Sequence, residues 1–123
     1  MEEQNIIRHK CHHANGKLAY QGMGYRQEDR FIPHGKGKQY DEEGMLQYEG
    51  EFRDGAQDGK GRFYVRGRLR YKGDMSRGEY HGKGTVYMEN GKKEYEGDLV
   101  HNCAQGVGKS YYPNGPVGVD LDF

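Results

Sequence analysis

The chain of 123 residues is 33% hydrophobic and 31% charged, with a mean hydropathy of -1.19, which excludes the large central core of an ordinary globular domain. Its 12% of aromatic residues argues against a disordered chain. Nineteen basic and nineteen acidic residues cancel, so we expect no nucleic-acid partner drawn by bulk charge.

The first 14 residues are predicted to form a leader and a first cap strand. They contain a dense set of metal-binding residue types, His9, Cys11, His12 and His13. On a strand His9, Cys11 and His13 would share one face, but the outer two would stand roughly 14 Å apart, which is too far for one ion. We therefore expect no metal site.

A repeat array is predicted for residues 15–123, because one pattern recurs along them. A tyrosine is followed by glycine two residues later, and a Gly-x-Gly unit begins 11 residues after the tyrosine in three copies. In a first, irregular copy that begins at Tyr20, the Gly-x-Gly unit comes 15 residues after the tyrosine. The predicted repeats are about 20–47, 48–70, 71–94 and 95–118, followed by a cap strand at 119–123.

Each copy is predicted to form a β-hairpin, since residues two apart lie on one face of a strand. In the second copy the expected pairs are Tyr48 with Phe63, Gly50 with Gly61 and Phe52 with Gly59. On the other face opposite charges are expected to meet, as Glu49 with Arg62, Glu51 with Lys60, Asp74 with Lys83 and Glu96 with Lys109. Glycine every few residues disfavours a helix.

The predicted fold is all-β, an elongated, twisted, single-layer antiparallel sheet of tandem hairpins. Cys11 and Cys103 would lie near its opposite ends, so both should remain free thiols. No run approaches about 18 apolar residues, and no apolar stretch of signal-peptide length opens the chain. We expect a soluble, cytoplasmic protein.

The repeated residues resemble the MORN (membrane occupation and recognition nexus) family, whose unit is roughly Tyr-x-Gly-x-aromatic, a glycine turn and Gly-x-Gly. Phe52, Met75 and Leu99 stand where that family often has tryptophan. The resemblance implies a non-enzymatic scaffold or adaptor, with cytoskeletal or ciliary association in eukaryotes.

A single-layer sheet cannot cover both of its faces, so a partner is expected on one of them. On one face we predict an exposed partner-binding stripe of Tyr20, Tyr48, Phe52, Phe63, Tyr71, Met75, Met88, Tyr95, Leu99 and Tyr112. On the other face we predict a second set of partner-binding residues, a tyrosine ladder of Tyr64, Tyr87 and Tyr111, with Tyr40 equivalent. A partner peptide or helix, or a second copy of the chain, would lie across the glycine-floored aromatic face. The alternatives are that neighbouring rings cover one another in the stripe and that the ladder only stiffens the sheet.

Membrane lipids are the second candidate partner. Local basic residues could serve it, namely Lys36, Lys38, Lys60, Arg62, Arg66, Arg68, Arg70 and Lys72. No cofactor is expected, since the Gly-x-Gly units have no following helix to bind phosphate. Ser76 and Ser110 have no visible His and Asp partners, so no catalytic site is predicted.

Overall fold

The computed structural model describes residues 5–111 and the backbone of residues 118–122. Within these ranges the fold is all-β, and the strands form one open antiparallel sheet in chain order, as predicted. The strands are β1 (Ile7–His12), β2 (Leu18–Gln27), β3 (Arg30–Tyr40), β4 (Leu46–Arg53), β5 (Ala56–Val65), β6 (Arg68–Ser76), β7 (Glu79–Tyr87), β8 (Lys93–Val100), β9 (Cys103–Tyr111) and β10 (Gly118–Asp122).

A row of glycines crosses the sheet from β2 to β9. Each glycine faces the next across a strand pair, in the order Gly22, Gly37, Gly50, Gly61, Gly73, Gly84, Gly97 and Gly108. At about 4.8 Å per strand the row is roughly 34 Å long. The repeat therefore places one unbroken line of residues without side chains across the strands.

A β-bulge follows the glycine pair in every hairpin of the array, and it corrects part of the predicted register. The predicted pairs Tyr48 with Phe63 and Gly50 with Gly61 are present. Phe52 faces Gln57, so its predicted pairing with Gly59 is wrong. Glu51 alone lies opposite residues 58–60, and Gly59 takes a φ of 104°, which glycine adopts without strain.

The irregular first copy keeps the same bulge in a longer hairpin. After the bulge Gly24 faces Pro33, and the last pair before the turn is Gln27 with Arg30. The four extra residues of this copy therefore add two cross-strand pairs. They do not form a loose loop.

The tyrosine face of the sheet is covered by its own side chains. Its buried cluster is Tyr20, Tyr48, Phe52, Tyr71, Met75, Tyr95 and Leu99. Phe63 packs against this cluster, Met88 is half-buried, and Tyr112 lies outside the described residues. The exposure predicted for the buried members of this stripe is wrong, because neighbouring rings cover one another. The Phe52 ring, for example, meets those of Tyr20 and Tyr48 edge-on, with centroids 5.1 and 5.0 Å apart.

The two cysteines are both free thiols, as predicted. Cys11 lies in β1 and Cys103 in β9, which are separated by seven intervening strands. That separation far exceeds the reach of a disulfide bond.

Candidate interaction groove

A groove runs along the face opposite the buried tyrosines. It consists of two adjoining concavities of about 670 and 580 Å³, which share Glu49 and Lys60 in their walls. Its floor is the glycine row, represented by Gly22, Gly37, Gly50, Gly61, Gly73, Gly84 and Gly97. Glu49 and Arg62 line it and alternate with Tyr48 and Phe63 along their strands, which places it on the opposite face.

Behind the floor, tyrosine rings fill the space that the glycines leave. A Cβ atom on Gly61 would collide with the hydroxyl end of the Tyr48 ring, and one on Gly84 would collide with that of Tyr71. The second glycine of each Gly-x-Gly unit is thus required by close approach of a ring. The groove floor is bare backbone supported from below by aromatic side chains.

Each of these tyrosines also fixes the bulge of its own strand. The hydroxyl groups of Tyr20, Tyr48, Tyr71 and Tyr95 donate hydrogen bonds of 2.6, 2.8, 2.6 and 2.7 Å to carbonyl oxygens three residues further on. Burial raises the pKa of Tyr20 and Tyr48 to about 12 and raises the pKa of Tyr71 and Tyr95. The phenols therefore stay protonated and able to donate at neutral pH.

The walls of the groove are mainly basic. Eight basic side chains line it, namely Arg8, Lys36, Lys38, Lys60, Arg62, Lys72, Lys83 and Lys93, against Glu49, Glu51 and Glu96. Of the basic residues named from the sequence as a possible lipid site, Arg66, Arg68 and Arg70 lie outside it. Arg8, Lys83 and Lys93 also belong to this surface and were not among the basic residues predicted from the sequence, although the alternation along each strand is the signal that identifies them.

Several of these cations are already paired with carboxylates. Lys38 lies 3.4 Å from Glu49, and Lys93 lies 3.4 Å from Glu96. Lys83 lies 2.8 Å from Asp98, and Lys60 pairs with Asp74. Since Lys60 and Lys83 each reach a carboxylate of the following repeat, these ion pairs join neighbouring repeats.

The bulge is the reason why two predicted charge pairs are wrong. Glu51 and Asp74 each lie opposite three bulge residues, so neither forms the predicted one-to-one cross-strand pair with Lys60 or Lys83. Instead, the Glu51 carboxylate accepts a 2.6 Å hydrogen bond from the backbone N–H of Lys60, and Asp74 accepts one of 3.0 Å from that of Lys83. The predicted cross-strand positions of Glu49 with Arg62 and of Glu96 with Lys109 are confirmed.

Asp74 joins two of these contacts and is stabilised in its charged form. Partial burial alone would raise its pKa, but the Lys60 ammonium and the Lys83 backbone N–H outweigh burial and lower it. One carboxylate thus binds the lysine side chain of the preceding repeat and a backbone N–H of its own repeat.

Only part of the predicted tyrosine ladder lies at the groove. Tyr87 lines it, and the Tyr111 hydroxyl lies 3.3 Å from the Glu96 carboxylate at the same end. Tyr64 is half-buried and lies outside the two concavities. Two of the three residues therefore border one surface.

Two of the N-terminal histidines contact an aromatic ring or a backbone carbonyl group. The His9 ring lies 4.8 Å from the Phe31 ring, and His13 Nε2 lies 3.0 Å from the carbonyl oxygen of Tyr40. Within residues 5–111 no three side chains of His, Cys, Asp or Glu gather closely enough to hold a metal ion. In the same part of the chain no helix is long and apolar enough to cross a membrane.

Comparison with protein families identifies the repeat. The family described as MORN repeat matches residues 48–67, 71–93 and 95–117, and the MORN repeat variant matches residues 33–54. The first three matches begin at Tyr48, Tyr71 and Tyr95, the tyrosines whose rings support the groove floor. No curated protein matches the chain.

Proposed function

The chain belongs to the MORN repeat family, and from this we propose that it is a non-enzymatic scaffold or adaptor that holds a protein partner in the groove. MORN repeats are generally modules for interaction with proteins or membranes and are typically non-enzymatic. The partner is a protein segment or a second copy of the chain, bound in the cytoplasm.

The observation that carries this proposal is the contrast between the two faces of the sheet. The side chains of the tyrosine face bury one another, and Tyr48 and Tyr71 are both 0% exposed. The other face offers a concave surface with a backbone floor and half-buried Tyr87 at its wall. Concave surfaces with a few amphipathic aromatic side chains favour binding. We therefore move the proposed contact surface from the tyrosine face to the groove.

Membrane lipid is the second candidate. The excess of basic over acidic side chains in the groove supports it, because anionic headgroups are attracted to clustered Lys and Arg. Lysines already paired with carboxylates reduce that attraction, which makes a protein the first choice.

The test compares capture of proteins from the native source by three forms of the chain. Thr85→Trp places a bulky side chain on the groove wall, whereas Arg53→Gln changes an exposed cation outside the two concavities. We expect a protein that the wild type and Arg53→Gln retain and Thr85→Trp loses. Sedimentation velocity measures whether the purified chain dimerises, which is the result expected if the partner is a second copy. Equal capture by all three forms would refute the groove as the binding surface.

Vesicle sedimentation separates the two candidates. Salt-sensitive binding to vesicles with anionic lipid, lost in Thr85→Trp and without any captured protein, would favour the lipid function instead.

A further inference from the structure

Two cations face each other in the middle of the groove. Arg62 on β5 and Lys72 on β6 are direct cross-strand partners, both are exposed, and both line the groove. Like charges directly opposite each other destabilise a sheet. Within residues 5–111 neither side chain forms an ion pair that would offset this repulsion.

The same position is complementary at the neighbouring junctions between repeats. At the junction of β3 and β4 it holds the ion pair of Lys38 with Glu49. At the junction of β7 and β8 the Thr85 hydroxyl donates a 3.2 Å hydrogen bond to the Glu96 carboxylate. The cation pair is therefore a departure from a rule that the rest of the array follows.

Within residues 5–111 four of the eight cations that line the groove form no ion pair, namely Arg8, Lys36, Arg62 and Lys72, and the last two are direct cross-strand partners. The other four lining cations, Lys38, Lys60, Lys83 and Lys93, lie beside carboxylates. Among the described residues the groove wall is thus partly neutralised, and Arg62 and Lys72 are the two unpaired cations that face each other, between its two central strands, with Glu49 opposite Arg62 on the other side.

We propose that Arg62 and Lys72 form an anion-recognition site for the side chain of an Asp or Glu in a partner polypeptide that lies along the groove. This inference rests on the proposed function and names the chemistry of the partner. A carboxylate between the two cations accepts a forked hydrogen bond from the guanidinium and contacts the ammonium. Its binding removes the repulsion that the free chain tolerates.

A polypeptide fits the rest of the groove better than a polyanionic headgroup. Glu49, Glu51 and Glu96 remain in the wall, and they repel a headgroup with several phosphate charges more strongly than they repel a single carboxylate. Met23 on β2 and Tyr87 on β7 line opposite parts of the groove. They are about 24 Å apart at five strand spacings, a span that about seven extended residues cover. An acidic residue within such a segment would reach the central pair.

The test selects groove-binding peptides from a random library. Peptides of 12 residues displayed on phage are panned against the folded chain, and groove binders are defined as those lost on Thr85→Trp. We expect groove binders to share an Asp or Glu. In fluorescence anisotropy their affinity should fall on the order of tenfold with Arg62→Gln and with Lys72→Gln. Arg53→Gln is the matched control and should leave affinity unchanged, and thermal melting verifies that all variants fold.

The outcomes separate this inference from the function on which it rests. Groove binders without a shared acidic residue, or with affinity unaffected by Arg62→Gln and Lys72→Gln, would overturn the acidic-anchor proposal and leave the groove as a binding surface. A library that contains no binder lost on Thr85→Trp would count against the proposed function itself. Vesicles with 5% phosphatidylinositol bisphosphate form the last arm. Binding to them that depends on Arg62 and Lys72, with no acidic groove peptide selected, would overturn the polypeptide in favour of lipid.

Discussion

The hydroxyl of Tyr71 donates a 2.6 Å hydrogen bond to the carbonyl oxygen of Asp74, three residues ahead on the same strand. Asp74 is the residue opposite the bulge, where the strand ladder is interrupted. The hydrogen bond therefore ties the Tyr71 ring to the backbone at the bulge. Tyr71 has a second role, since its ring stacks on that of Tyr80 with centroids 3.9 Å apart.

Tyr71→Phe isolates the first of these roles. The ring remains, but the bulge carbonyl loses its donor, so the free energy of unfolding should fall by about 1 to 2 kcal/mol. Urea denaturation measures it. The control is Tyr87→Phe on the groove wall, where we expect less than about 0.5 kcal/mol. Equal losses in the two variants would contradict the role assigned to the Tyr71 hydroxyl.

Gly61→Ala tests the close approach of ring and backbone. The new methyl group would collide with the Tyr48 ring, so we expect a loss of about 2 kcal/mol or more in the free energy of unfolding. Gly78→Ala is the control for backbone strain alone, because Gly78 has a φ of 82° but open space around it. Its loss should be nearer 1 kcal/mol. A smaller loss at Gly61 than at Gly78 would rule out the steric explanation.

Two groove lysines should respond in opposite directions to charge reversal. Lys72→Glu places a carboxylate opposite Arg62 and should raise the free energy of unfolding by about 0.2 to 1 kcal/mol. Lys60→Glu places one opposite Asp74 and should lower it by a similar amount. Chemical denaturation at low salt measures both, and high salt should shrink both effects. Losses in both variants would mean that the cation pair is not a source of repulsion.

High pH should unfold the protein through its buried phenols. The pKa of Tyr20 and Tyr48 is about 12 in the folded chain because burial disfavours the phenolate, against about 10 for an exposed tyrosine. A raised folded-state pKa gives stability that is present below pH 10 and is lost as the pH rises towards 12. Denaturation midpoints should therefore be level from pH 7 to 9 and fall above 10. Midpoints that stay level up to pH 12 would contradict the burial.

If one face stabilises the fold and the other binds the partner, substitutions of Tyr71 and Tyr87 should affect different properties. Tyr71→Ala should lower the free energy of unfolding by about 3 to 5 kcal/mol through lost burial. Tyr87→Ala should cost far less stability and weaken capture of groove peptides. Melting curves and anisotropy on the same samples distinguish the two. Unchanged peptide affinity in a folded Tyr87→Ala protein would remove that residue from the proposed contact surface.

The sequence was sufficient to predict the sheet and its central pairing, because a repeated Tyr-x-Gly and Gly-x-Gly leave few ways to align a hairpin. The bulge was not predicted from the sequence, because assigning every second residue to the same face assumes a strand without interruptions. A signal was nevertheless available. Asp54-Gly55 is a strong two-residue turn, and a hairpin centred there cannot also pair Gly50 with Gly61 unless extra residues stand on one strand.

The burial of the tyrosine face was not predictable from spacing alone. A strand pattern fixes the face of a side chain but not how far its ring leans over the neighbouring strand. Tyr48 and Tyr71 lean over glycines and pack against the rings of Phe52 and Tyr80 in their own repeats, so they are fully enclosed in a single-layer sheet. The sequence therefore predicted correctly that these residues share one face, but the exposure predicted for them there was wrong.

Because each tyrosine occupies the volume that its glycines vacate, the three residues can change only together, while the groove positions between them bear none of that constraint. Folding and the proposed partner binding therefore depend on alternate positions of the same strand. New binding specificities could be written into this scaffold at sites such as Arg62, Lys72 and Thr85 with the interior untouched. Repeats with the same backbone could then be combined, each with its own residues on the groove wall.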